Sequence, residues 1–81
     1  MTQTVSQEYL DGIRDARATL RKIQSGQDSC YSAAELPEFM QSEVEALNRT
    51  IKGFSASSPV GQMLRGERDF WRNQIKRSAA A

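Results

Sequence analysis

Apolar residues recur at three- and four-residue steps in three separate stretches of this chain, with polar residues between them. In the middle stretch Met40, Val44, Leu47, Ile51 and Phe54 form one seam, while Gln41, Glu45, Arg49 and Lys52 fall opposite. That spacing puts an apolar stripe and a solvated face on a single helix. The first stretch repeats the pattern with Val5, Tyr9, Ile13, Ala16, Leu20 and Ile23, set against Glu8, Asp11, Asp15 and Lys22. In the third, Val60, Met63, Leu64, Phe70, Trp71 and Ile75 share one broad stripe at about 100° per residue. Glu67 falls inside that stripe, where an unpaired carboxylate costs several kcal/mol, so it calls for a partner such as Arg17, Arg21 or a residue of another subunit.

Start and stop signals divide these stretches. Thr4 and Gln7 have capping-box spacing, and Ser25-Gly26 supplies a residue suited to the left-handed turn after a helix. Gly12, inside the first helix, costs about 1 kcal/mol relative to alanine and is either tolerated or permits a close approach. Gln27 to Glu35 reads as a loop ending in a second capping-box match at Ser32 and Glu35, with Pro37 in the first turn of the next helix. Gly53 closes that helix, Ser55-Ala-Ser-Ser58 is a small-residue linker that leaves the angle open, and Ser58-Pro59 starts the third. The pattern predicts one all-α domain: an antiparallel hairpin of helices at about 5–24 and 37–52, plus a C-terminal amphipathic helix at about 59–77.

An 81-residue chain hides only about 60% of its unfolded surface, so its core is thin and partners are expected. The net charge of +1 conceals an uneven distribution: residues 1–59 hold six Lys/Arg against eight Asp/Glu, and residues 60–81 hold five against two. The C-terminal segment is the basic one. A lone Cys30 excludes an internal disulfide, and no apolar run suits a signal peptide or a membrane span, so synthesis inside the cell is expected.

Catalysis has little to work with, since histidine is absent, the one cysteine has no base beside it in sequence, and the acidic residues are dispersed. No enzyme, metal site, cofactor or small-molecule substrate is expected. The sharpest feature is a row of cations, Arg65, Arg68, Arg72 and Lys76, along one side of the third helix. Such a row can follow a phosphate backbone or meet an acidic partner, and it also suits a solvated face partly neutralised by Asp69. With no recognition turn or aromatic RNA box beside it, any nucleic-acid contact is to backbone. Phe70, Trp71 and Ile75 continue the apolar stripe as core residues do, yet a tryptophan beside arginines on the last helix is also the composition of an interface anchor, with Glu67 placed to meet a neighbouring subunit.

The first half of the chain resembles a family. A helix ending in Ile23-Gln-Ser-Gly-Gln27, a connector carrying Tyr31-Ser32, and Ala34-Glu-Leu-Pro-Glu-Phe39 opening a second helix are similar to small phage head-tail joining proteins of the lambda W type. The likeness covers roughly residues 10 to 52; the family's hairpin is contracted here to Asp28-Ser-Cys30, and its Ala-Asp-Leu element reads Ala34-Glu35-Leu36. The resemblance implies a short hairpin in the first connector and a non-enzymatic virion protein for head completion, present in the virion or host cytoplasm. It further implies homo-oligomers on the portal in contact with DNA or tail components. Two rivals fit the same residues: a small nucleic-acid-binding regulator using the basic face, and a phage-encoded inhibitor of a host protein.

Overall fold

The computed structural model describes residues 6–27 and 32–80. Among those residues the helices are α1 (Gln7–Gln24), α2 (Leu36–Ile51) and α3 (Pro59–Ala80), with a 3-10 turn, Ala33–Glu35, leading into α2. Among the described residues there is no strand, and the protein is all-α, as the apolar periodicity predicts. The expected hairpin at Asp28 to Cys30, together with Thr4, lies outside the described residues.

Local chemistry accounts for the helix ends. Ser6, in an extended conformation, caps α1 by accepting a hydrogen bond from the Tyr9 amide at 3.1 Å, so the helix starts two residues later than the Thr4 spacing suggests. At its other end Gly26 takes φ +77°, and the Gly26 and Gln27 amides donate to the Ile23 and Lys22 carbonyls. Those paired bonds satisfy carbonyls that the helix itself leaves free, and the positive φ is why glycine stands there. Ser32 and Glu35 do interact, with the Ser32 amide and hydroxyl both donating to the Glu35 carboxylate at 3.1 Å. Ser58 caps α3 through its hydroxyl, which accepts from the Gly61 amide at 3.3 Å.

Expected as a linker that leaves the helix angle open, Ser55 to Ser58 is instead tied to α3. The Ala56 carbonyl accepts hydrogen bonds from Gln62 and, at 3.2 Å, from Arg65, and the Ser58 amide donates to the Ser55 carbonyl. A four-residue turn with these bonds sets the angle. Because α2 ends at Ile51, Phe54 leaves the seam and is exposed, and Val60, in the first turn of α3, is also exposed.

The two extensive helix–helix interfaces are those of α1 with α3 and of α2 with α3. Ser6 meets Gln62, Tyr9 meets Asp69, and Arg17 lies over Phe70, so α1 and α3 run parallel. Asn48 meets Arg68 and Phe39 meets Trp71, so α2 runs antiparallel to both. The last helix therefore joins the first two. The core is Ala16 and Leu20 of α1, Met40 of α2, and Phe70 and Trp71 of α3, with Ile13, Phe39, Val44, Leu47 and Ile75 packed around it.

α1 and α3 cross at two glycines. A Cβ on Gly12 would stand 2.9 Å from the Met63 carbonyl carbon and 3.1 Å from the Glu67 amide, with the Met63 oxygen closer still. A Cβ on Gly66 would stand 3.0 Å from the Tyr9 carbonyl carbon and 3.3 Å from the Ile13 amide, again with the carbonyl oxygen closer. Each glycine faces the other helix's backbone, so Gly12 serves the close approach left open by its sequence position.

Candidate functional site

α3 presents three different surroundings, each set by the helix that lies beside it. The flank between α1 and α2 holds Trp71 and Glu67. Trp71 is 1% exposed, and its ring meets Phe39 and Phe70 edge-on at centroid distances of 5.3 and 5.2 Å. Phe70 is buried as well, and Ile75 packs against the same cluster. As anchors for another subunit, Phe70 and Trp71 are thus already covered: the stripe that singled them out closes on this chain's own α1 and α2. Edge-to-face pairs of this kind contribute about 0.5–1.5 kcal/mol beyond the area they bury.

Glu67 is half-buried and, among the described residues, has no ion pair or hydrogen bond. The expected partners lie elsewhere. Arg17 sits over the Phe70 ring, 5.8 Å from its centroid, and Arg21 lines the groove on that same side of α1. Asp15, two residues before Arg17 and so on the far flank of the helix, faces Glu67 instead. Burial pushes the Glu67 carboxyl above the ordinary glutamate range, and the charges of Asp15 and Glu43 push it further the same way. Three helices each bring one carboxylate to this wedge, and among the described residues no such group is placed to hold a metal ion.

The outer flank carries the predicted cation row. Arg65 and Arg68 are half-buried and committed: Arg65 to the Ala56 carbonyl, Arg68 to Asp69 through Nε at 3.1 Å and to Asn48 at 3.4 Å. Arg72 and Lys76 are exposed and in no ion pair among the described residues. Asp69, expected to neutralise Arg65 and Arg72, is engaged otherwise. Its Oδ1 accepts from Arg68 and its Oδ2 accepts from the Tyr9 hydroxyl at 2.6 Å. Donating to a carboxylate holds the Tyr9 phenol in its neutral form; that bond, then burial and the Asp69 charge, push its pKa up to about 12, with Arg68 opposing.

Between α1 and α3 lies a groove of about 350 Å³ that periodicity did not reveal. Its floor is Ile13, Leu20 and Phe70; Tyr9 and Asp69 stand at one end, and Arg17, Arg21 and Arg77 reach it from the two helices. None of these three arginines is in an ion pair among the described residues, where the only ion pairs are Arg14–Asp11 and Arg68–Asp69. Arg21 and Arg77 also sit in the last turns of two parallel helices, where cations complement the carbonyl-rich ends. Sequence reading missed the cluster because Arg17 and Arg21 lie more than fifty residues from Arg77. The available signal was their i, i+4 spacing on the flank of α1 beside its apolar stripe.

No described helix is long and apolar enough to cross a membrane. No family model, no curated protein and no solved structure matches this chain.

Proposed function

We propose that this protein is a non-enzymatic binding component that lies against nucleic-acid backbone through the outer face of α3, in the setting of phage head completion. One observation carries the backbone contact: Asp69, the carboxylate in the middle of the basic row, is taken up by Tyr9 and Arg68. Arg72 and Lys76 are left exposed and uncompensated in line with Arg65 and Arg68. A rigid helix face with unpaired cations one turn apart matches a phosphate backbone without reading its bases.

The setting rests on the resemblance over residues 10–52, and the non-enzymatic character on a sequence without histidine. A ring of this chain on a portal, touching packaged DNA or tail proteins, uses outer residues for its subunit contacts, since Phe70 and Trp71 are enclosed within one chain. Among the described residues, Leu10, Phe54 and Val60 are exposed large apolar side chains.

The test is fluorescence anisotropy of the purified protein with a labelled duplex of mixed sequence, across a series of salt concentrations. Binding is expected to weaken linearly in log–log form with a slope of roughly −2 to −4, from about 0.9 per neutralised phosphate over this row. Arg72→Gln with Lys76→Gln is expected to reduce that slope by about 2, since each phosphate contact contributes about 1. Absence of salt-sensitive binding, or a slope indifferent to both changes, would remove the proposal. Light scattering with and without DNA reports the assembly.

A further inference from the structure

We propose that the groove between α1 and α3 is a binding site for a nucleotide, with its phosphate at Arg21 and Arg77 and its base and sugar toward Asp69. The groove's volume of about 350 Å³ falls at the small end of the range for specific ligand sites, about 300–1,000 Å³. Length agrees as well. Asp69 and Arg77 are eight residues apart on α3, about 12 Å at 1.5 Å per residue, which is the reach of one nucleotide from base to phosphate.

Charge gives the orientation. Arg17, Arg21 and Arg77 bring three guanidinium groups to one concave surface with no carboxylate paired to them among the described residues. The last-turn carbonyls of α1 and α3 offset part of the charge on Arg21 and Arg77, but the three guanidinium groups stay exposed and free to give a phosphate paired N–H bonds. One of the positions is steadied by the fold: Arg17 lies over the Phe70 ring, so less of its freedom is lost when an anion arrives. Gln24, Asn73 and Gln74 line the same walls and supply amide donors and acceptors.

The far end has the opposite character. Asp69 already accepts from Tyr9 and Arg68, one bond on each oxygen, and each carboxylate oxygen keeps a further lone pair for an exocyclic amine or a ribose hydroxyl. Between the ends, Ile13, Leu20 and Phe70 offer an apolar floor of the kind on which a base ring settles. An inorganic phosphate would use the arginines alone; a nucleotide uses the floor and both ends.

This site is independent of the backbone contact proposed for Arg72 and Lys76. The two fail separately, because each has its own variants. The experiment is titration of the full chain with adenosine monophosphate, adenosine and inorganic phosphate, followed by calorimetry and by the arginine side-chain NMR signals. The monophosphate is expected to bind with a Kd at or below about 1 mM and to shift the signals of Arg17, Arg21 and Arg77. Adenosine and inorganic phosphate are each expected to bind at least about tenfold more weakly, having lost one half of the contacts.

Arg21→Gln and Arg77→Gln should each weaken the monophosphate by about tenfold or more, while Arg72→Gln with Lys76→Gln leaves it unchanged. Circular dichroism confirms that each variant is folded before its affinity is read. A short single strand bearing a 5′-phosphate, run beside the free monophosphate on the Arg72→Gln, Lys76→Gln chain and read at the Arg17, Arg21 and Arg77 signals, tells whether the nucleotide is taken alone or as the end of a strand: the one that shifts those signals at lower concentration is the source. No shift at those arginines up to about 5 mM monophosphate, or binding indifferent to Arg21 and Arg77, overturns the proposal.

Discussion

Replacing Gly66 by alanine tests the crossing of α1 and α3 directly. Intrinsic helix preference alone argues that Gly66→Ala stabilises, because alanine in a helix interior is about 1 kcal/mol better than glycine. The packing argues the reverse. The added methyl would press on the Tyr9 carbonyl group and come within 3.3 Å of the Ile13 amide, and these are backbone atoms in the middle of a helix. No side chain can rotate aside, so the helices must move apart. Overpacking of this kind costs about 1–3 kcal/mol, and rigid neighbours put it at the upper end. A gap of 0.5–1 Å along the interface also forfeits about a quarter to a half of its dispersion contacts. The net expectation is a loss of about 2 kcal/mol, after about 1 kcal/mol of improved helix preference is set against the strain. A chain of 81 residues has roughly 4–12 kcal/mol of stability in all, so the midpoint should fall by about 8–16 °C.

Urea and thermal unfolding, followed by far-ultraviolet circular dichroism and by the fluorescence of the buried Trp71, measure this. Gly53→Ala is the internal control, because its Cβ would meet only the Thr50 carbonyl at an ordinary 3.5 Å. Gly12→Ala should resemble Gly66→Ala, and the double variant should cost less than the sum, since both open the same interface. A Gly66→Ala protein as stable as the parent would refute the close crossing.

Two further outcomes follow from the same geometry. Glu67 has a folded pKa above its unfolded one, so the folded state holds that proton to higher pH and the contribution to stability fades as pH rises through the carboxylate range. Glu67→Gln should therefore unfold at higher urea concentration than the parent at pH 7, with the difference closing below about pH 4; a less stable variant at pH 7 would show that Glu67 has an attractive partner after all. Trp71→Ala should cost about 3–5 kcal/mol, a large part of the chain's stability read as a lower urea midpoint, and a variant that keeps the parent's midpoint but is altered in its light-scattering mass would return Trp71 to an interface.

Helix positions and caps were legible because their causes are local: an apolar repeat, a serine before a first turn, a glycine after a last one. Ser6 shows the limit of that reading, since Thr4 and Ser6 both offer a capping hydroxyl and only the geometry of the first turn separates them. The position of Glu67 in an apolar stripe was also visible, but its neighbours were not. They depend on which flank of α1 meets α3, and the crossing at Gly12 and Gly66 turns Asp15 toward Glu67 and Arg17 toward Phe70. Two interior glycines without a turn to explain them were the trace that crossing left in the sequence. The fate of Asp69 was hidden for the same reason, because one of its two partners, Tyr9, is sixty residues away.

The position of α3 between its partners bears on how the chain acquires its shape. Ser6 reaches Gln62 across 56 residues and Tyr9 reaches Asp69 across 60, so the interface that completes the core joins opposite ends of the sequence. On the ribosome, α1 and α2 emerge with apolar faces that have no extensive contact with each other, and neither can be covered until Phe70 and Trp71 have been made. Folding is then late and nearly all-or-none, with a large loop to close before any reward, which is slow for a small helical protein. Until that moment, the nascent chain depends on other means of shielding its seams.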